Sequence, residues 1–186
     1  MENRGERNLG NSRKHENAGY GNPLIVSYSY SGNTHRIAQE IQAMLKCDWC
    51  EIYPWQPYPM AFTELLEQVR KEIRTGYYPR LLPGSRSPYS CRIILAGSPN
   101  WCGSIAPPLA SWLYRNDLSG KIILPFCSHC GGVEADFRRE IARLCPRADV
   151  RETLEVVGDG GEGLREMLRQ WLVRTGIWEE AAMGVV

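Results

Sequence analysis

The 186-residue sequence has almost no net charge and no long apolar run. Its 22 lysines and arginines nearly balance 21 aspartates and glutamates. Electrostatic binding to nucleic acid needs a basic face, and no polybasic stripe is present, so we do not expect nucleic acid as a partner. No apolar run approaches the ~18 residues of a membrane-spanning helix, and the polar start lacks the apolar core of a signal peptide. We therefore expect neither export nor membrane insertion.

The sequence also lacks the even cysteine count of a disulfide scaffold. Seven cysteines without a signal peptide indicate reduced thiols, and this predicts a cytoplasmic location. At roughly 100 to 200 residues per domain, the length predicts one domain. We expect the polar residues 1–22 to form a flexible leader, residues 23–178 the folded domain and residues 179–186 a tail.

Short apolar segments alternate with amphipathic helical patterns from residue 23 onward. The predicted strands cover residues 24–26, 50–53, 93–96, 121–126 and 153–157. Helical spacing of apolar residues follows each strand, and parallel strands need crossover connections that are usually helices. The pattern therefore predicts an α/β fold with a five-stranded parallel sheet. Function is then expected in the loops at the carboxyl ends of the strands.

The turn after the first strand is rich in small hydroxyl residues. It consists of Ser29, Tyr30, Ser31, Gly32, Asn33 and Thr34. A helical pattern follows at once, and the start of a helix offers unpaired N–H groups and the positive end of its dipole. Small hydroxyl residues there can surround a phosphate without a lysine. Serine and threonine are also common helix caps, so this turn alone leaves capping open as the alternative.

Three segments together resemble one protein family. Residues 24–38 resemble the first strand and FMN-phosphate loop of flavodoxins. Residues 97–108 and 118–132 resemble the two loops that flank the flavin ring in flavodoxin-like oxidoreductases, in the same order along the chain. The first flanking loop includes Pro99, Asn100, Trp101, Cys102 and Gly103. The second includes Cys127, Ser128, His129, Gly131 and Gly132.

The resemblance implies a fold, a cofactor and a chemistry. The fold would be a flavodoxin-like three-layer sandwich with strand order 2-1-3-4-5. FMN would bind noncovalently, with its phosphate on the hydroxyl-rich turn and its ring between the two flanking loops. Trp101 is the best candidate to cover one face of the ring, because aromatic rings stack favourably. Alternatively, Trp101 has only a structural role in the core or at an interface. Since the flavin performs the electron chemistry, we expect no catalytic side chain and no metal.

The net charge of the chain favours one of the functions that the resemblance leaves open. Electron carriers of this fold tend to be acidic, which guides them to basic partners, and a net charge of +1 lacks that field. The two ring-flanking loops also contain no acidic residue. We therefore expect an oxidoreductase that moves electrons from a reduced donor, with NAD(P)H as a candidate, to a small acceptor such as a quinone. A carrier with a protein redox partner, a flavin-free interaction domain and a homodimer remain open.

Other motifs were weighed against this interpretation. Residues 158–163 match the G-x-G-x-x-G pattern, but too little chain follows to complete a dinucleotide-binding unit, so a turn is expected. Residues 145–151 match the spacing of a phosphatase loop at the wrong edge of the sheet. The pairs Cys47/Cys50 and Cys127/Cys130 lie at opposite edges, which disfavours a shared zinc ion. A redox dithiol formed by Cys127 and Cys130 remains an alternative.

Overall fold

The computed structural model describes residues 22–84, 88–131 and 135–178. The strands are β1 (Leu24–Ser27), β2 (Asp48–Glu51), β3 (Ile93–Trp101), β4 (Ser104–Ile105), β5 (Ile122–His129), β6 (Asp149–Val150) and β7 (Leu154–Val157). The helices are α1 (Asn33–Leu45), α2 (Phe62–Thr75), α3 (Pro107–Arg115), α4 (Phe137–Leu144) and α5 (Leu164–Arg174), and two 3-10 turns cover Pro88–Ser90 and Gly161–Gly163. Residues 1–21 of the predicted leader, the tail at 179–186 and Gly132 lie outside the described residues.

The sheet has the predicted order once its fifth position is seen as an interrupted strand. The path is β2-β1-β3-β5-β6, and β7 also pairs with β5. Both β6 and β7 are parallel to β5, so together they occupy one position, broken at residues 151–153. The short β4 pairs antiparallel with β3 and only extends it as a hairpin. The flavodoxin-like order 2-1-3-4-5 is confirmed.

Helices cover both faces of the sheet, which makes the three layers. Side chains alternate along each strand, so neighbouring residues such as Ile25 and Val26 enter different core clusters. The cluster on one face contains apolar residues of α1 and α5, including the fully buried Trp171. The other contains residues of α2, α3 and α4, including Trp112. This burial on both faces explains why the strands are apolar runs rather than alternating patterns.

Three boundaries differ from the sequence prediction. The edge strand β2 begins two residues earlier than predicted, because it is only half-buried and its apolar pattern is weak. Residues 97–103 were predicted as a loop, whereas β3 continues to Trp101 and turns back as a hairpin. Similarly, β5 extends three residues further, to His129. These polar extensions pair with each other, Ser98 opposite Cys127, and such long-range pairing leaves no local signal in the sequence.

Part of the connection after α2 pairs with the segment after β2. Pro54 and Leu81 form an antiparallel bridge. The backbone N–H of Leu82 donates to Tyr53 O at 2.8 Å, and that of Trp55 donates to Arg80 O at 2.7 Å.

Among the helices of the described ranges, none is long and apolar enough to cross a membrane.

Gly97 lies so close to Phe126 that we predict a strict size limit at this position. A Cβ atom there would lie 2.1 Å from Phe126 Cζ. Since overpacking a core costs about 1–3 kcal/mol, Gly97→Ala is expected to lower the free energy of unfolding by at least that range, measured by urea denaturation. Phe126→Leu in the same chain should recover part of the loss. If the two substitutions add without coupling, the close contact does not limit this position.

Candidate functional site

The turn between β1 and α1 leaves the start of the helix without a side-chain cap. Gly32 is the N-cap residue, with a φ of 94° that favours glycine, and no side chain makes a capping hydrogen bond at this end of α1. No acidic residue lies in that turn. Helix capping therefore does not account for the hydroxyls of this turn, and the unpaired N–H groups at the start of α1 remain available to an anion.

The hydroxyl of Ser29 is a second unsatisfied polar group at this turn. Its Oγ is buried and has no hydrogen-bond partner. A buried polar atom left unpaired costs about 1–3 kcal/mol, so such atoms need an explanation. Within the described residues, Trp112 Nε1 and Thr153 Oγ1 share this condition. Only Ser29 belongs to the turn beside an uncapped helix start, where a bound phosphate would satisfy it.

A hydrogen bond between two predicted site residues joins the first loop to β5. Thr34 Oγ1 and Ser128 Oγ are 2.8 Å apart, and both residues are buried. Either hydroxyl can donate. When Ser128 donates, the hydroxyl hydrogen of Thr34 is free to point to a ligand. Two residues that are 94 positions apart in the chain thus meet at one point of the site.

Trp101 lies among three tyrosine rings at the same edge of the sheet. The ring centroids of Tyr28, Tyr30 and Tyr58 are 5.5, 5.7 and 5.0 Å from it, each in an edge-to-face arrangement. Tyr30 also donates from its hydroxyl to Pro59 O at 2.7 Å. Trp101 is half-buried, so it has structural neighbours and still presents some surface. Its contact with a flavin ring stays a prediction.

The predicted loop around Trp101 is a tight hairpin. Its two turn residues, Cys102 and Gly103, have φ angles of 57° and 81°. Positive φ at both positions is typical of a type I′ turn, which matches the twist of the paired strands. Asn100 Oδ1 accepts from the N–H of Gly103 at 3.0 Å and closes the turn. Pro99 is half-buried opposite Ser128 on β5, so the two predicted ring loops lie side by side.

The second ring-flanking loop presents a histidine and hides a cysteine. His129 is half-buried, and its Nδ1 accepts from the N–H of Gly131 at 3.1 Å, which leaves Nε2 to carry the proton of the neutral ring. Cys127 is buried in the core, and this burial raises the pKa of its thiol to about 12. Cys130 is exposed. The structure therefore does not support the redox-dithiol alternative.

The G-x-G-x-x-G segment at residues 158–163 forms a turn, as predicted. Gly158, Gly160 and Gly161 have positive φ. Asp159 Oδ1 accepts from the N–H of Gly161 at 3.0 Å, and the guanidinium of Arg36 donates to Gly161 O at 3.1 Å. The glycines thus serve the turn, which α1 holds through Arg36.

The remaining cysteine motifs lie away from the site. Cys145 is buried where α4 leads into the amino end of β6, at the edge opposite the three loops. Cys47 and Cys50 enter different core clusters, on opposite faces of the sheet. Within the ranges that the structure describes, no group of three or more candidate ligands could hold a metal ion.

Sequence reasoning missed Glu140, which contacts the hairpin from α4. Its Oε1 accepts from the hydroxyl of Ser104 at 2.6 Å, and its Oε2 accepts from the N–H of Ile105 at 3.0 Å. The ring-flanking loops contain no acid of their own, as the sequence shows, but α4 supplies this carboxylate to the end of the hairpin. It lies 35 positions beyond Ile105 in the chain, and no local pattern points to the contact.

These observations define an α/β protein with a hydroxyl-rich turn, an uncapped helix start and two further loops at one edge of its sheet. A model of the flavodoxin family matches residues 22–174. The chain therefore belongs to the flavodoxin family, as its motifs predict. No curated protein sequence matches it.

Solved structures show the same fold at low sequence identity. A protein from Bacteroides eggerthii described as a flavoprotein superposes with a TM-score of 0.74 at 19% identity, over 84% of this chain and 99% of that one. One from Bacteroides uniformis gives 0.71 at 19% identity, over 81% and 99%. A Lactobacillus acidophilus flavoprotein in complex with FMN gives 0.64 at 18% identity, over 81% and 98%.

The cysteine environments predict which thiols react in the native protein. Cys102 and Cys130 are exposed, while the other five are buried. Burial raises the pKa of Cys127 and of Cys47 to about 12, so almost no thiolate forms there near pH 8. We expect iodoacetamide to label two cysteines quickly and the remaining five only after unfolding, counted by mass spectrometry. Rapid native labelling of Cys127 would restore the dithiol alternative.

Proposed function

We propose that this flavodoxin binds FMN noncovalently and acts as an oxidoreductase that passes electrons from a reduced donor to a small acceptor. Membership of the flavodoxin family and the FMN-bound neighbour from Lactobacillus acidophilus support FMN as the cofactor. The observation that carries the proposal is the buried, unpartnered hydroxyl of Ser29 beside the uncapped start of α1. A phosphate monoester supplies the acceptor oxygens that both features lack.

The first loop would hold the phosphate of FMN. Ser29, Ser31 and Thr34 offer hydroxyl donors, and the first turn of α1, which includes Asn33, offers backbone N–H groups. The hydroxyl of Tyr30 is not among these donors, since it already donates its hydrogen to Pro59 O. Gly32 lets the backbone turn into the helix at positive φ. The helix dipole and the hydrogen bonds would balance the negative charge of the phosphate, without a lysine in the loop.

The two other loops would hold the flavin ring, which takes up and releases electrons when bound. In this proposal Trp101 lies against the ring, supported by its tyrosine neighbours. Asn100, Cys102 and Gly103 shape the hairpin around it. His129 would donate from Nε2 at the edge of the ring, next to Gly131. Gly132 stays a predicted contact outside the described residues.

The balance of charge supports an oxidoreductase over a pure electron carrier. A net charge of +1 gives no strong field to guide a protein partner. NAD(P)H is the proposed donor and a quinone the proposed acceptor, and the seven cysteines support a reducing location in the cytoplasm. An electron carrier that works with a protein redox partner is the second candidate, because the family fold fits that role equally well.

We predict that Ser29→Ala separates binding of the phosphate from binding of the ring. Loss of one hydrogen bond to a charged group is worth about 1.5–3 kcal/mol, so FMN affinity should fall about ten- to hundredfold while riboflavin affinity stays unchanged. Because the hydroxyl is unpaired without ligand, the apoprotein should unfold at the same urea concentration or a higher one. Isothermal titration calorimetry and urea denaturation measure the two effects.

The matched control is Thr153→Val, which removes another buried, unpartnered hydroxyl. Thr153 precedes the amino end of β7, away from the three loops. FMN should bind to this variant as it binds to the parent chain. If riboflavin binds the parent as tightly as FMN does, or if Ser29→Ala weakens both ligands equally, the phosphate assignment is wrong.

We also predict that a nicotinamide cofactor reduces the FMN-loaded protein directly. Anaerobic mixing with NADH or NADPH should bleach the visible flavin absorbance within about a second, the time of a typical enzyme turnover. A small quinone added afterwards should restore the absorbance. Dithionite serves as the control that the flavin can be reduced at all. Bleaching by dithionite but by neither nicotinamide would select the electron carrier instead.

A further inference from the structure

The hairpin that presents Trp101 has little stability of its own. Its second strand, β4, is two residues long, with Ile105 opposite Asn100 and Ser104 opposite Trp101. Short two-stranded hairpins are marginally stable in water. Cys102 also occupies the left-handed region, at a φ of 57°, where residues other than glycine are disfavoured. A defined position for Trp101 therefore needs further attachments.

Glu140 provides such an attachment with both oxygens of its carboxylate. One oxygen accepts from the hydroxyl of Ser104 at 2.6 Å and the other from the N–H of Ile105 at 3.0 Å. Hydrogen bonds to an ionised group are stronger than neutral ones. Ile105 is only 1% exposed, so water cannot easily replace the carboxylate as acceptor. Together the two bonds hold the whole of β4.

The helix that carries Glu140 is itself well anchored. Phe137 and Ile141 of α4 are fully buried in the core. Asp136 caps the helix, because its Oδ1 accepts from the N–H of Arg139 at 2.9 Å. The backbone position from which the Glu140 side chain extends, in the first turn of α4, is therefore well fixed. On the other side, the N–H of Ala106 donates to Ser98 Oγ at 3.1 Å and holds the end of the hairpin to β3.

We propose that Glu140 is a positioning residue, which fixes the hairpin of residues 99–106 and thereby holds the Trp101 ring in place for the flavin. The hairpin part stands on the contacts of the chain alone, while the part that concerns the flavin rests on the proposed function. Glu140 does not need to touch the cofactor for this role. It acts through Ser104, which pairs with Trp101 across the hairpin.

Hydrogen–deuterium exchange of the full-length apoprotein tests the hairpin part. In Glu140→Ala, the amides of residues 100–106 should exchange at least about tenfold faster than in the parent, since two charge-assisted hydrogen bonds are lost. Glu140→Gln keeps one acceptor and should lie between the two. The control, Arg143→Ala, removes an exposed side chain from the last turn of the same helix, so its hairpin amides should exchange as in the parent. If Glu140→Ala does not fold, Ser104→Ala, which removes one donor, should give a smaller increase.

Ligand affinity tests the part that concerns the ring. Glu140→Ala should weaken FMN and riboflavin by the same factor, about three- to tenfold, because both contain the ring and only FMN carries the phosphate. Unchanged hairpin exchange in Glu140→Ala, or an equal increase in Arg143→Ala, would overturn the proposal. Loss of FMN affinity without loss of riboflavin affinity would overturn its second part. If the parent chain binds no FMN, the proposed function fails, whereas the exchange experiment still decides the role of Glu140.

Discussion

The parallel pairing of β1, β3 and β5 is the constraint on which the site depends. Because these strands run the same way in adjacent positions, their carboxyl ends meet at one edge of the sheet. The loop after each strand therefore lies beside the others, although the loops are far apart in the chain. Burial on both faces by helices makes this register unique, since a slip by one residue would reverse every buried side chain.

The edge built in this way combines groups that would be unfavourable without a ligand. The start of α1 has no side-chain cap, and the hydroxyl of Ser29 is buried without a partner. Both are unsatisfied donors of hydrogen bonds, and both lie where the helix dipole favours an anion. Serine and threonine are common helix caps, yet none of the hydroxyls of this turn caps α1. The arrangement therefore fits a loop that binds a phosphate.

Hydrogen bonds between separate elements fix the relative positions of the loops at the site. Thr34 and Ser128 join the first loop to β5, and Glu140 joins α4 to the hairpin. Each bond connects two different elements and is at least partly shielded from water. In such shielded places hydrogen bonds are stronger than in water, and a partner left unpaired is costly. The aromatic packing of Trp101 against Tyr28 and Tyr58 supplies the apolar counterpart.

The sequence by itself determined the order of strands and helices, the hydroxyl-rich turn and the family, because each leaves a local pattern: an apolar run, a helical spacing or a short motif. The tertiary structure alone decided that residues 97–103 continue β3 into a hairpin, that Cys127 faces the core, and that Glu140 reaches β4. Strand extension, side-chain direction and contact between distant residues arise from pairing and packing across the chain. No short window of sequence contains both partners of such a contact.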